Sequence, residues 1–335
     1  MQSVLPASGK CVLGRSAATQ HRPQRAIRLA CRADGSLNTP SSLIGCHSQV
    51  WVGGWDKKDI IKSVEGTKNA GFDLIEVNVS VPEEMDGKLT KEIIEEYGLK
   101  SSASMGLSKK HDISSEDNEI VKAGKEHLIQ CLEKVKEVGG TYLCGVNYCA
   151  MDKYPGPATA KGLKNCTDSL KELTKRAEDM GINWGLEVIN RYESNVCNTG
   201  LRAMELIDDA RNPPNLYVHL DTYHMNIEES SSEHAVGVCA DKLGYVHIGE
   251  SHRGYLGTGS VDFPAFFRAL AKYDYQGAVT FESFSSAVVS GSLSNTLCVW
   301  RNLWEDSEDL AVTANNFMRS GIQAAYKVPM VKKVR

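Results

Sequence analysis

The chain has 335 residues, 41% apolar and 24% charged, which suits one large globular α/β domain and a core that needs neither disulfides nor structural zinc. Six of the 38 bases (Lys10, Arg15, Arg22, Arg25, Arg28, Arg32) but only one of the 42 acids, Asp34, fall in residues 1–40, so the remaining body carries a net charge of −9. An acidic body excludes the phosphate neutralisation on which nucleic-acid binding depends and suits a small neutral ligand.

Residues 1–40 are rich in Arg, Ser and Ala and lack the continuous apolar region of a secretory signal. They read as a disordered N-terminal targeting segment, a transit peptide for the chloroplast, with mitochondrion or cytoplasm as the alternatives; a basic tail without an address is the competing reading. Residues 41–335 form the second unit. From residue 43 short β-like runs alternate with longer amphipathic stretches. The expected strands are Leu43–Cys46, Asp73–Val79, Lys100–Met105, Thr141–Val146, Trp184–Ile189, Leu216–Asp221, Gly244–Ile248 and Ala278–Glu282. Helices are expected over Asn118–Val138, Leu163–Met180 and Leu201–Ala210, the first with Ile120, Val121, Leu128, Leu132 and Val135 near one face. Gly71, Gly98, Gly139 and Gly181 stand where helices should end, as C-terminal caps. This alternation predicts a single-domain (β/α)₈ TIM barrel. An open doubly wound sheet is the runner-up, without the Gly-x-Gly-x-x-Gly turn that would support it. No apolar run is long enough to span a bilayer, so no membrane partner is expected.

Ten cysteines occur with no Cys-x-x-Cys pair, and Cys46, Cys144, Cys197 and Cys298 lie in or beside apolar stretches. They read as buried, reduced thiols.

Barrel enzymes build their sites at the C-terminal ends of the strands. There Glu187 interrupts Trp-Gly-Leu-Glu-Val, Asp221 ends Val-His-Leu-Asp, His247 lies in Tyr-Val-His-Ile, and Glu282 in Thr-Phe-Glu-Ser. A charge in an apolar strand is costly unless paired or metal-bound, and four successive strands carry one polar group each. Three oxygen ligands and one nitrogen suit Mn²⁺, Co²⁺ or Mg²⁺ better than zinc. The competing reading is an internal polar network completed by a nearby Arg or Lys, although none interrupts these four strand cores. Glu193, His224 and Arg253 follow the ligands at loop positions suited to positioning a substrate. His219 could share the barrel interior or be a satisfied core histidine; Trp51 and Trp55 could wall a site or pack in the core. The Gly254–Gly259 loop reads as an ordinary flexible turn rather than a phosphate site, and Lys327–Arg335 as a solvated tail.

Three segments carry a family resemblance: Gly185-Leu186-Glu187-Val188-Ile189-Asn190-Arg191-Tyr192-Glu193, Leu220-Asp221-Thr222-Tyr223-His224-Met225-Asn226-Ile227-Glu228-Glu229 and His247-Ile248-Gly249-Glu250-Ser251-His252-Arg253, supported by Glu282-Ser283-Phe284 and Gly291-Ser292-Leu293-Ser294. Over about residues 42–320 the chain resembles the D-tagatose and D-psicose (allulose) 3-epimerases of the xylose-isomerase-like barrels. The resemblance implies one divalent ion, Mn²⁺ preferred, held by Glu187, Asp221, His247 and Glu282. It implies that Glu193, His224 and Arg253 hold O1 and O2 of a ketose, and that the assembly is a homodimer or homotetramer. Two positions depart from the family at the far end of the sugar pocket: His47 replaces a usual aromatic, and Met151 a usual Trp. His47 is counted with the substrate-binding residues. The expected reaction inverts C3 of a free ketose, with Glu187 and Glu282 as base and acid on opposite faces. Hydroxypyruvate isomerase or inosose dehydratase chemistry is the alternative; the barrel-fold DNA-repair endonucleases and a non-catalytic sugar-binding protein are more distant ones.

Overall fold

The computed structural model describes residues 41–327. The segment expected to be a transit peptide, and residues 328–335 of the basic tail, lie outside the described residues. Eight strands follow in order: β1 (Ile44–His47), β2 (Leu74–Asn78), β3 (Lys100–Leu107), β4 (Tyr142–Ala150), β5 (Asn183–Val188), β6 (Leu216–Asp221), β7 (Leu243–Ile248) and β8 (Ala278–Phe281). All pair in parallel, and β8 closes on β1 to complete the expected barrel. Among the described residues ten α-helices surround or cap it: α1 (Lys57–Asn69), α2 (Gly87–Glu96), α3 (Asn118–Glu137), α4 (Ala160–Asp179), α5 (Gly200–Asp209), α6 (Thr222–Glu228), α7 (Ser232–Cys239), α8 (Phe263–Lys272), α9 (Gly291–Thr296) and α10 (Ser307–Lys327). Among the described residues, no helix is long and apolar enough to cross a membrane.

The helices start where a short oxygen-bearing side chain can accept from their first free N–H groups. Asp56, Asp86, Asp117, Thr159, Thr199, Ser231, Asp262 and Ser290 each do so. Asp221 does the same for α6, accepting from Tyr223 N at 2.7 Å, so one carboxylate both starts a helix and ends a strand. Four helices stop as expected, at Gly71, Gly98, Gly139 and Gly181, all at positive φ. On α3 Leu128, Leu132 and Val135 are fully buried, whereas Ile120 and Val121 of the first turn are only half-buried.

The strand β4 runs four residues past its expected end. Its register against β3 jumps between Gly106, opposite Val146, and Leu107, opposite Ala150. Just before this bulge Gly145 sits at φ 102°, opposite Met105, and a Cβ built there would lie 2.1 Å from the Met105 carbonyl oxygen. No side chain can share that space and that backbone conformation. Gly145→Ala is expected to destabilise the barrel by at least about 3 kcal/mol, read as a lowered midpoint in thermal unfolding. An unchanged midpoint would mean that β3 and β4 can separate freely at this point.

Candidate metal centre and active site

The ends of β5 to β8 bring Glu187, Asp221, His247 and Glu282 together, and one ligand atom from each lies within 4.8 Å of the others. Strand register accounts for this: Asp221 pairs with His247, and His247 with Thr280, two residues before Glu282. Nδ1 of His247 is 3.5 Å from Glu187 Oε1, 3.5 Å from Glu282 Oε1 and 3.9 Å from Asp221 Oδ2. It is buried yet has no hydrogen-bond partner among the described residues. With ligand bonds of about 2.0–2.2 Å, neighbouring ligand atoms on one ion stand about 3–3.5 Å apart, close to the spacing here. Three carboxylate oxygens and an unpartnered imidazole nitrogen therefore fit a divalent cation of the Mn²⁺, Co²⁺ or Mg²⁺ kind.

The other face of the His247 ring meets a residue that sequence reasoning missed. Nε2 donates to both oxygens of Glu76, at 3.0 and 2.9 Å. Glu76 interrupts the apolar run of β2 as the four expected residues interrupt theirs, so the same signal could have found it.

Arg253 partly fulfils the competing polar-network reading, from a loop rather than a strand. Its Nη1 lies 2.9 Å from Asp221 Oδ2 and 2.7 Å from Glu282 Oε2, and its guanidinium covers the Tyr223 ring at 4.0 Å. The backbone holds it at φ 62°, where its carbonyl accepts from Ser283 Oγ, itself hydrogen-bonded by Trp304 Nε1 at 2.8 Å. One guanidinium cannot balance the carboxylates gathered here. Among the described residues Glu187 has no Arg or Lys partner, and burial pushes its carboxyl up to about 7, aided by Glu282 and Asp221 against the pull of His247. Burial also acts to raise Glu282, but Arg253 and His247 outweigh it and hold that carboxyl well below the usual range. The two carboxylates on either side of the centre thus sit in opposite environments.

His224 is fixed by Asn190, whose backbone N–H donates to its Nδ1 at 3.1 Å. A neutral ring that accepts at Nδ1 carries its proton on Nε2, and burial keeps His224 neutral by lowering it to about 4. Its Nε2–H and Arg253 Nη2, 3.4 Å apart, are then two donors turned toward one space rather than a hydrogen-bonded pair. The side chain of Asn190 also donates to Glu193 Oε1 at 2.7 Å, so one turn places two of the four expected substrate-binding residues, His224 and Glu193.

These groups open onto a cavity of roughly 630 Å³, bounded on the far side by His47, Trp55, Met151, Phe284 and Leu293. That volume suits a small molecule. His47 lines it, but both ring nitrogens are engaged: Nδ1 accepts from Gln49 N at 3.2 Å and Nε2 meets Ser104 Oγ at 3.0 Å. Trp55 walls the cavity, whereas Trp51 packs in the core against α1 at Gly66. His219 is interior but not satisfied. Neither of its nitrogens has a partner among the described residues, and its ring stands edge-on to His247 at 4.1 Å. The Gly254–Gly259 turn has no room for an anion, because the buried Glu250 carboxylate already accepts from the N–H groups of Ser251, Gly257 and Val261. Cys298 corrects an expectation: unlike Cys46, Cys144 and Cys197 it is exposed, since its apolar neighbours lie in the short connection between α9 and α10.

The family model of the xylose isomerase-like TIM barrel matches residues 64–320. The chain is 52% identical over 281 residues to the ketose 3-epimerase of Arthrobacter globiformis, covering 84% of this chain and 97% of the relative. It is 50% identical over 275 residues to the L-ribulose 3-epimerase of Methylomonas sp. (strain DH-1), covering 82% and 96%. Among solved structures, a D-allulose 3-epimerase from Methylomonas sp. in complex with D-allulose superposes with a TM-score of 0.82 at 49% identity, over 85% of this chain and 99% of that one. With its barrel, its ligand-like cluster and these relatives in view, the chain belongs to the xylose isomerase-like TIM barrel family, and its close relatives there are isomerase-class sugar epimerases.

Proposed function

We propose that this chain is a divalent-metal-dependent epimerase that inverts C3 of a free ketose. The observation that carries the reading is the convergence of Glu187, Asp221, Glu282 and the unpartnered His247 Nδ1 beside two donors, His224 Nε2 and Arg253 Nη2, aimed at one space. The names of the relatives, which include ketose, L-ribulose and D-psicose 3-epimerases, support the same substrate class.

Inverting C3 requires removal of the proton next to the C2 carbonyl and its return from the other face. A divalent ion held by Glu187, Asp221, His247 and Glu282, Mn²⁺ by preference, would supply Lewis-acid stabilisation of the negative charge that develops on the sugar, typically several kcal/mol. Glu187 and Glu282, reaching in from β5 and β8, take the proton on one side and give one on the other, exchanging roles with the direction of reaction. Asp221 and His247 serve the ion alone. His224 and Arg253 donate to the carbonyl oxygen and stabilise it as it gains charge, while Glu193 orients the sugar hydroxyls at the same end. His47 contributes to the far wall through its ring rather than its nitrogens, both of which the protein uses.

Incubating the Mn²⁺-loaded chain with D-fructose in D₂O is expected to yield D-psicose carrying deuterium at C3. Product that keeps its original C3 proton would exclude the two-carboxylate route. Conversion of hydroxypyruvate or an inosose, with every ketose left unchanged, would favour the alternative chemistries.

A further inference from the structure

Glu76 is a carboxylate with no exposed surface, in the middle of β2. Burying such a charge costs several kcal/mol unless a partner compensates it, and leaving it unpaired would be worse. Its partner is His247, across the barrel interior on β7, a strand that does not neighbour β2. Among the described residues its only other close imidazole is His47, 3.7 Å away and already bonded to Ser104. Glu76 contributes nothing directly to the cluster of Glu187, Asp221, His247 and Glu282, because it lies on the opposite nitrogen of the imidazole.

The chemistry of the contact dictates which nitrogen holds the proton of the neutral ring. An ionised carboxylate only accepts, so Nε2 must carry a hydrogen. In the neutral ring Nδ1 then holds a lone pair, directed toward Glu187 Oε1 and Glu282 Oε1 at 3.5 Å. The opposite tautomer would set the Nε2 lone pair against the Glu76 oxygens and place a hydrogen where a cation belongs.

We propose that Glu76 is a positioning residue that fixes the tautomer and plane of His247, so that Nδ1 is presented to the divalent ion. A histidine ligand with a carboxylate behind it is also a stronger donor to the ion. This inference rests on the metal-centre reading above, and the experiment separates the two.

Metal-stripped full-length chain and its Glu76→Gln variant are titrated with Mn²⁺ by calorimetry, and the Co²⁺-loaded forms are compared by visible absorption. Glu76→Gln is expected to bind Mn²⁺ about 10–100-fold more weakly and to shift the Co²⁺ bands, with an unchanged circular dichroism spectrum. Equal affinity and an unchanged Co²⁺ spectrum in the variant overturn the role of Glu76. If the unmodified chain itself binds no ion, the metal-centre reading fails instead. Should Glu76→Gln not fold, Glu76→Asp carries the test. It keeps the charge but retracts it by one methylene, so weaker Mn²⁺ binding with shifted Co²⁺ bands supports the proposal, and wild-type values overturn it.

Discussion

Glu187→Gln and Glu282→Gln are each expected to lower kcat for C3 inversion by at least about 10³-fold. General acid–base catalysis by a placed side chain contributes about 10²–10⁴-fold, and an amide of the same shape can neither take nor give the proton. The loss should be large in both variants because the two carboxylates are not redundant. They approach His247 Nδ1 from different strands, both at 3.5 Å, and only one of them is bridged by Arg253. A two-sided scheme makes a sharper demand than loss of rate. With one face disabled, the intact carboxylate can still remove and return the C3 proton of the epimer that faces it. Each Gln variant, checked for Mn²⁺ content, should therefore wash solvent deuterium into C3 of one epimer without converting it, and the two variants should favour opposite epimers. Full turnover in either variant, or the same exchanging epimer in both, would sink the assignment of opposite faces.

The barrel and the four-residue cluster were legible in the sequence because they obey rules that act locally. Strands of the right length recur between helices, and a lone charge in each of four apolar strands is too costly to be accidental. What escaped depends on partners distant in the chain. Glu76 carries the same strand signal, but its meaning comes from His247, 171 residues later. The Asn190 turn lies in plain view within the family-like segment, yet its use as a shared anchor for His224 and Glu193 appears only when α6 brings His224 against the turn after β5. Arg253 shows why scanning strand cores for a counter-cation missed one: it enters from the loop after β7, at a positive φ that no composition reveals. The resemblance counts His47 among the substrate-binding residues, and the chain alone does not show what its nitrogens meet. The short turn after β1 engages one of its nitrogens through Gln49, and β3, two strands along the barrel, engages the other through Ser104.

Exhaustive chelation is expected to abolish turnover and lower the unfolding temperature, and added Mn²⁺ to restore both. The reasoning begins with the charges at the centre. Glu187, Asp221 and Glu282 point buried oxygens toward one imidazole nitrogen, and Arg253 offsets only part of their mutual repulsion. A dication that binds this set in the folded chain and not in the unfolded one stabilises folding by mass action, by about 2.7 kcal/mol when the ion is at 100 times its Kd. In a domain of this size that corresponds to a midpoint shift on the order of 5 °C. Differential scanning calorimetry of stripped and Mn²⁺-loaded protein, with ion content followed by atomic absorption, measures the shift. Co²⁺ should substitute well, since the oxygen-rich donor set with one imidazole suits either ion. Undiminished turnover in protein with no detectable ion would remove the metal from the mechanism altogether. Loss of turnover without a midpoint shift would instead mean that Arg253 and the protons on these carboxylates already neutralise the centre, leaving the ion a purely chemical role.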